Sequence, residues 1–441
     1  MNRVFPQYKY NSFPLISKAR IQERKLMAWI TIIMALGVFM LTRTGIEFFL
    51  SPIMGGSILL VSFWGLHLFM VLRKQKGDEL FLPLTFFLIS MGWLEIFRID
   101  PQFAMRQLIW ILIGEVVFIL WLVFLKDYQV LEDYKYIFLV LAVVLQTLVA
   151  LFGLEVNGAK LWFDLGFFSI QPVEFIKIFL TVFLVSYLKQ NRNLLEKDAQ
   201  NTSKWISMKY YVLLFTLWAI AESVLVIQKD LGMAFLLFGV FVGLFYVVTR
   251  KAYLTFSALL LFVLSGYILY EIFPHVRIRI DNWWNPWSDP EGTGYQMIQS
   301  LFSMGNGGIL GAGLGRGEPF YIPAVHTDFI FVAIAEEFGL VGAIVTLGIF
   351  LVLIQRMFRT ALETRDEFGK LLALGLGVLI ATQVFIIVAG AVKFIPLTGI
   401  TLPFVSYGGS SMVSNFIILA IYMQISGTIE SSFKEKNHGQ N

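Results

Sequence analysis

The chain has 441 residues, 57% of them hydrophobic and 15% charged, with a formal net charge of +4 and no cysteine. Soluble domains carry about a quarter charged residues, so this composition excludes an ordinary soluble enzyme and makes lipid the solvent for most of the chain. The missing cysteines exclude disulfides, iron–sulfur clusters and thiolate zinc sites. The four histidines, His67, His275, His326 and His438, are too scattered to suggest a histidine metal cage.

In chain order, a basic polar stretch over residues 1–26 comes first and lacks the pattern of a cleaved signal. Apolar runs follow at 27–48, 54–72, 80–97, 107–125, 134–153 and 170–188. The second half adds 210–227, 231–249, 253–273, 328–354, 371–392 and 409–426. Each is near the length a bilayer requires, so the expected fold is all-α, a polytopic membrane helical bundle of about 12 transmembrane helices. An even number of spans puts both termini on one side. That side receives 24 of the 34 Lys and Arg residues, which makes it cytoplasmic by the positive-inside rule.

The opposite side then carries the loops 98–106, 155–168, 274–327 and 393–408, rich in Gly, Pro and Trp. The third is a long extracytoplasmic loop before span ten. The expected organisation is a cytoplasmic tail (1–26), an additional transmembrane hairpin (27–78), a core (79–426) and a second cytoplasmic tail (427–441). No repeat of 20–50 residues is visible, nor an inverted pair of broken helices. No Walker-type motif offers ATP as an energy source.

Ionisable residues inside apolar spans point to function by default; here they are Glu95, Glu115, Glu174, Lys177, Glu222, Glu336 and Glu337. Glu174 and Lys177 share a helix face, which suits a buried ion pair and a substrate contact equally. Asp328 stands where polar loop becomes apolar helix. It reads either as a helix cap, with Thr327 or Asp328 accepting backbone amides, or as a lone functional carboxylate. Helical spacing turns Glu336 and Glu337 away from it. The glycine-rich stretch Gly305–Gly317 lacks a βαβ context for a dinucleotide. It reads as a hinge or as a turn whose amides face an anion beside Arg316. Trp283, Trp284 and Trp287 suit a membrane-surface belt, and Pro403–Ser411 suits close helix packing or a head-group contact.

Several segments together resemble one family, the peptidoglycan polymerases of the shape, elongation, division and sporulation (RodA/FtsW) type. They are Asn157-Gly158-Ala159-Lys160-Leu161-Trp162, Gln171-Pro172-Val173-Glu174 with Lys177, and Gln228-Lys229-Asp230-Leu231-Gly232. Then come Asn285-Pro286-Trp287, Gly294-Tyr295-Gln296, Gly307-Gly308 with Gly311 to Gly315, and His326-Thr327-Asp328-Phe329 with Glu336-Glu337. Pro396-Leu397-Thr398-Gly399 leads into Pro403–Ser411.

The resemblance implies polymerisation of lipid II, an undecaprenyl-pyrophosphate disaccharide peptide, on the outer face of a bacterial cytoplasmic membrane. It makes Asp328 the catalytic carboxylate. It implies substrate contacts from Lys160, Trp162, Gln171, Glu174, Lys177, Arg277, Arg279, Tyr295, Gln296, His326, Thr327, Ser406, Gly408, Gly409 and Ser410. Lys160, Lys177, Arg277, Arg279, Arg98 and Lys393 are the cations available to two diphosphates, and a divalent ion (Mg or Mn) would suit the same charges. The implied partner is a class B penicillin-binding transpeptidase; no nucleic acid is implied. The chain departs from the common pattern in carrying one basic residue before the motif Trp, Gln-Lys-Asp in place of Gln-Pro-Asp, and two extra spans at its start. The rival functions are a lipid-linked sugar flippase and a non-catalytic scaffold for cell-wall enzymes.

Overall fold

The computed structural model describes residues 20–43, 50–156, 159–164, 166, 168–193 and 204–438. Its long helices are α1 (Ile21–Leu41), α2 (Leu50–Leu72), α3 (Phe81–Ile99), α4 (Pro101–Phe124), α5 (Lys135–Phe152) and α6 (Val173–Gln190). Then follow α7 (Lys204–Ile227), α8 (Leu231–Thr249), α9 (Ala252–Ile272), α10 (Pro274–Trp284) and α11 (Tyr295–Gly307). The chain ends with α12 (Ile330–Glu363), α13 (Glu367–Ala391) and α14 (Gly409–His438). Among the described residues, 11 helices are long and apolar enough to cross a membrane. α6 falls outside that group because Glu174, Lys177 and Lys189 lie on it. In lipid every backbone polar group must be satisfied internally, so long helices joined by short links are the expected outcome of this composition.

The apolar stripes do not all face inward. In α3 and α14, 78% and 83% of the spanning window is buried, against 6% in α9. The first two are therefore the centre of the bundle and α9 stands at its edge. Close approach at the centre depends on small residues. A Cβ on Gly92 of α3 would lie 2.2 Å from the Val405 carbonyl oxygen, and one on Gly409 2.2 Å from the Trp110 ring.

Three expectations need correction. The first helix begins at Ile21, before the expected 27, because Glu23 is fully buried between Arg20 and His67. The segment 274–327 is no plain loop. It folds into α10, α11 and two short 3-10 turns, Pro286–Ser288 and Pro319–Tyr321. The segment 155–168 carries a small antiparallel sheet of β1 (Leu154–Val156), β2 (Ala159–Asp164) and β3 (Ser169–Ile170). Leu154 pairs with Trp162 and Glu155 with Lys160. Asn157 and Gly158, between β1 and β2, lie outside the described residues.

Three of the loops expected on one side, 98–106, 274–327 and 393–408, meet at one end of the bundle. Gln107 donates to the Ser406 carbonyl at 3.2 Å, the Tyr407 amide to the His326 carbonyl at 2.8 Å, and Arg279 to the Thr398 carbonyl at 2.9 Å. At the other end Asp78 accepts two bonds from Arg356, at 2.6 and 2.8 Å, and one from Tyr422 at 2.9 Å. Asp78 is buried there. Arg356→Ala would leave its carboxylate without that charge, so a loss of about 3 kcal/mol is expected, readable as a lower unfolding midpoint in detergent.

Candidate functional site

Asp328 sits in the turn that enters α12. The helix is capped by Phe329 with no side-chain cap bond, so the capping reading of Thr327 and Asp328 does not hold. The Thr327 hydroxyl instead donates to the Ala324 carbonyl at 2.9 Å. The Asp328 carboxylate therefore caps no amide of α12. It is recessed and only partly exposed to solvent. Burial raises its pKa to about 6, against the opposing pull of the Thr327 hydroxyl and the Arg279 guanidinium.

Gly399 lies beside both Arg279 and Asp328. A methyl built there would stand 3.6 Å from Asp328 Oδ2 and 3.8 Å from Arg279 Nη2. Its φ is +78°, a conformation that favours glycine. Gly399→Ala is expected to cost more than about 1 kcal/mol of stability through backbone strain alone. The methyl itself would sit at ordinary van der Waals distance from both groups, so activity should fall only with the amount of folded protein; a large loss of turnover in membranes with normal protein abundance would refute this.

The turn before Asp328 is held from several sides. Gln296 donates to the Pro323 carbonyl at 2.7 Å, and Ser406 donates to the Thr327 carbonyl at 2.6 Å. His326 stacks on Phe103 with ring centroids 4.3 Å apart. Burial lowers the His326 pKa, against the pull of Asp100, so a neutral imidazole is favoured. Gln171, at the start of α6, donates its amide to Ser410 at 2.8 Å, and Gly408 donates to Gln107 at 3.1 Å. Tyr295 opens α11, one residue before Gln296.

Deeper in the bundle, Lys177 and Glu174 form the ion pair their spacing suggested, at 2.5 Å. Lys177 also donates to Gln383 at 3.1 Å, and Glu174 accepts from Thr401 and Ser414, each at 3.3 Å. Lys177 is 0% exposed, and its ammonium ties α6 to α13 through Gln383. Asp230, absent from the expected site, caps α8 through the Met233 amide at 3.1 Å. Its second oxygen has no hydrogen-bond partner among the described residues. Burial lifts its pKa to about 6, with Glu174 adding to the rise and Arg279 opposing it. The two acids Asp230 and Asp328 thus share the field of one arginine. The signal for Asp230 lay in the Gln228-Lys229-Asp230 segment.

Several expected residues have partners of their own. Lys160 and Trp162 are on β2, paired across to β1. Arg277 is directed to Glu271 at 3.3 Å and lies over the Tyr270 ring, on the exposed side of α10. Arg98 is committed to Glu337 and to the Gly315 and Gly317 carbonyls. The anion expected beside Arg316 is the protein's own. Gly315 donates its amide to Glu337 at 3.1 Å and Glu318 donates its amide to Glu336 at 2.9 Å. Glu336 and Glu337 are thereby occupied away from Asp328.

Across this architecture, the family model described as "Cell cycle protein", covering FtsW, RodA and SpoVE, matches residues 80–430. The chain belongs to this family. A relative named peptidoglycan glycosyltransferase RodA, from Mycobacterium tuberculosis, is 41% identical over 387 residues, spanning 84% of this chain and 82% of that protein. Stage V sporulation protein E of Bacillus subtilis is 33% identical over 374 residues, spanning 81% and 99%. Among solved structures, a chain from a peptidoglycan synthase complex superposes with a TM-score of 0.67 at 28% identity, over 80% of this chain and 98% of that one. The rod shape determining protein RodA of Thermus thermophilus gives 0.57 at 23%, over 79% and 96%, and supports the fold alone. As a family member, the chain is a multi-pass protein of a bacterial membrane.

Proposed function

We propose that the chain is a peptidoglycan glycosyltransferase that joins lipid II molecules into glycan strands at the outer face of the cytoplasmic membrane. The observation that carries this reading is the Asp328 carboxylate. It is unused by the helix cap, recessed beside Arg279, and has a pKa raised to about 6. A base poised near the working pH is the most effective proton acceptor. Asp328 takes the proton of the acceptor GlcNAc 4-hydroxyl as its oxygen attacks the anomeric carbon of the donor MurNAc. The bond to undecaprenyl pyrophosphate breaks, and the diphosphate leaves with the electron pair. Ordinary glycosides need a second carboxylic acid to protonate the leaving group; a diphosphate already leaves well, so one acid suffices.

Arg279 is the cation placed to hold Asp328 and to stabilise charge developing on the diphosphate. An apolar recess of about 340 Å³, lined by residues such as Leu145, Ile170, Phe175 and Phe179 beside Gln171, has the chemistry to accept part of a polyprenyl chain. A divalent ion is not built into the proposal. Among the described residues no group of three His, Cys, Asp or Glu converges to hold a metal ion. In this reading both termini are cytoplasmic, residues 79–426 are the catalytic core and 27–78 an accessory hairpin. The likeness to a chain from a peptidoglycan synthase complex favours a transpeptidase partner.

Purified protein in lipid vesicles, given lipid II, should yield glycan strands on a gel, and Asp328→Asn should yield none. Movement of labelled lipid II across the vesicle without polymer, equal in both proteins, would favour a flippase instead. Restoration of growth by Asp328→Ala at normal abundance would favour a scaffold.

A further inference from the structure

We propose that Arg98 is a positioning residue for this reaction, seating the segment that carries Asp328 instead of binding the substrate's diphosphate. The inference rests on the polymerase reading of Asp328.

The chain from Gly308 to Asp328 has to fix a reacting carboxylate, yet its first half is glycine-rich and intrinsically loose. Its rigidity comes from a break in α12. Gly339 adopts φ 69° and ψ −169° inside that helix, which interrupts the helical pattern of i to i−4 bonds. The amides of Leu340 and Val341 instead reach the Gly308 and Ile309 carbonyls, at 3.0 and 3.2 Å. The Glu336 and Glu337 carbonyls accept from Ala312 and Gly313, each at 2.9 Å. Four backbone bonds therefore stitch the glycine segment onto α12. A side chain would not fit between them: a Cβ on Gly311 would lie 2.2 Å from the Glu337 carbonyl oxygen.

Arg98 closes this seat from α3. One of its terminal nitrogens donates to the Gly315 and Gly317 carbonyls, both at 3.1 Å, and its Nε lies 3.4 Å from Glu337. Glu337, whose side chain is 0% exposed, in turn accepts the Gly315 amide. These contacts of Arg98 all end on the glycine segment or on the acid that grips it. Glu95 stands three residues earlier on α3, on the same face. It is fully buried, and neither of its oxygens has a hydrogen-bond partner among the described residues. The charges around it are Glu337, Arg98 and Glu336. Glu95 thus lies in the field of two further carboxylates and one guanidinium, and that guanidinium is paired with Glu337. Removing that cation takes the counter-charge from the buried Glu337 and unties two carbonyls of the loop. The loosened segment runs through Pro319–Tyr321 into the turn bearing Asp328, and a displacement of about 1 Å at a reacting group costs about 10²-fold in rate.

The test uses full-length protein in lipid vesicles, with lipid II as substrate and wild type, Arg98→Ala, Arg98→Lys and Asp328→Asn in parallel. Arg98→Ala is expected to lower kcat by about 10²-fold with KM for lipid II within about twofold. Amide hydrogen exchange should quicken across 308–329 while α13 and α14 stay protected. Arg98→Lys should be intermediate, since it keeps the charge and loses the forked donors. A KM raised about tenfold or more at unchanged kcat would mark a diphosphate ligand and overturn the proposal, as would unchanged exchange across 308–329. Should Arg98→Ala unfold the whole bundle, the same two readouts on Arg98→Lys decide in its place. A wild type that makes no polymer defeats the polymerase reading, whereas the exchange result still judges the seat.

Discussion

Replacing Asp328 with Asn is expected to lower the rate of glycan polymerisation by about 10² to 10⁴-fold, the usual worth of a general base, with little change in protein abundance. The substitution keeps size and shape and removes only the proton acceptor. Stability should hold because the carboxylate caps no helix. The pH profile carries a second expectation. The groups facing Asp328 are the Arg279 guanidinium and the Thr327 hydroxyl, and both favour the ionised form, whereas burial opposes it and prevails, leaving the pKa at about 6. The base is ionised above that value. Polymerisation should therefore be level in the neutral range and fall about tenfold per pH unit below about 6. Arg279→Gln removes a charge that lowers the Asp328 pKa, so the acid limb should move upward. An acid limb that stays in place in Arg279→Gln would show that another group titrates.

The second large effect is on stability. Lys177→Met would leave Glu174 buried beside Thr401 and Ser414 with its cation gone, and Gln383 Oε1 without its donor. Breaking one half of a buried pair costs about 3–5 kcal/mol, whereas replacing both halves with neutral groups of similar volume is far less harmful. The double variant Glu174→Gln, Lys177→Met should therefore recover most of the unfolding midpoint lost by the single one. If Lys177→Met unfolds at the wild-type midpoint, the ion pair is not the brace described here. Catalytic recovery is a separate measurement. The pair fixes α6 through Gln383, whose amide donates to the Thr401 carbonyl at 2.8 Å. A stable but inactive double variant would then place the charges themselves in substrate handling.

What the sequence determined by itself follows from local rules. Apolar runs of membrane length fix the helices, because backbone groups in lipid must bond within their own segment. The Glu174–Lys177 pair was legible because three residues on a helix always bring two side chains to one face. The position of Asp328 at the mouth of α12 could be read from the change of loop to apolar run. Its freedom from capping could not, since that depends on Phe329 and on which amides the turn leaves open.

Tertiary structure decided the remainder. Arg98, Arg277 and Arg279 look alike in sequence, yet one clamps a glycine segment, one pairs with Glu271 and one faces Asp328. Arg98 and Arg279 take carbonyl partners 217 and 119 residues away in the chain, whereas Arg277 takes Glu271, 6 residues before it. The anion at the glycine-rich loop was likewise invisible, because Glu336 and Glu337 reach it only after α12 breaks at Gly339. A charge in a membrane protein must find a counter-charge or a polar bond within a few ångströms. Which one it finds is set by how the helices pack, and no spacing along the chain records that.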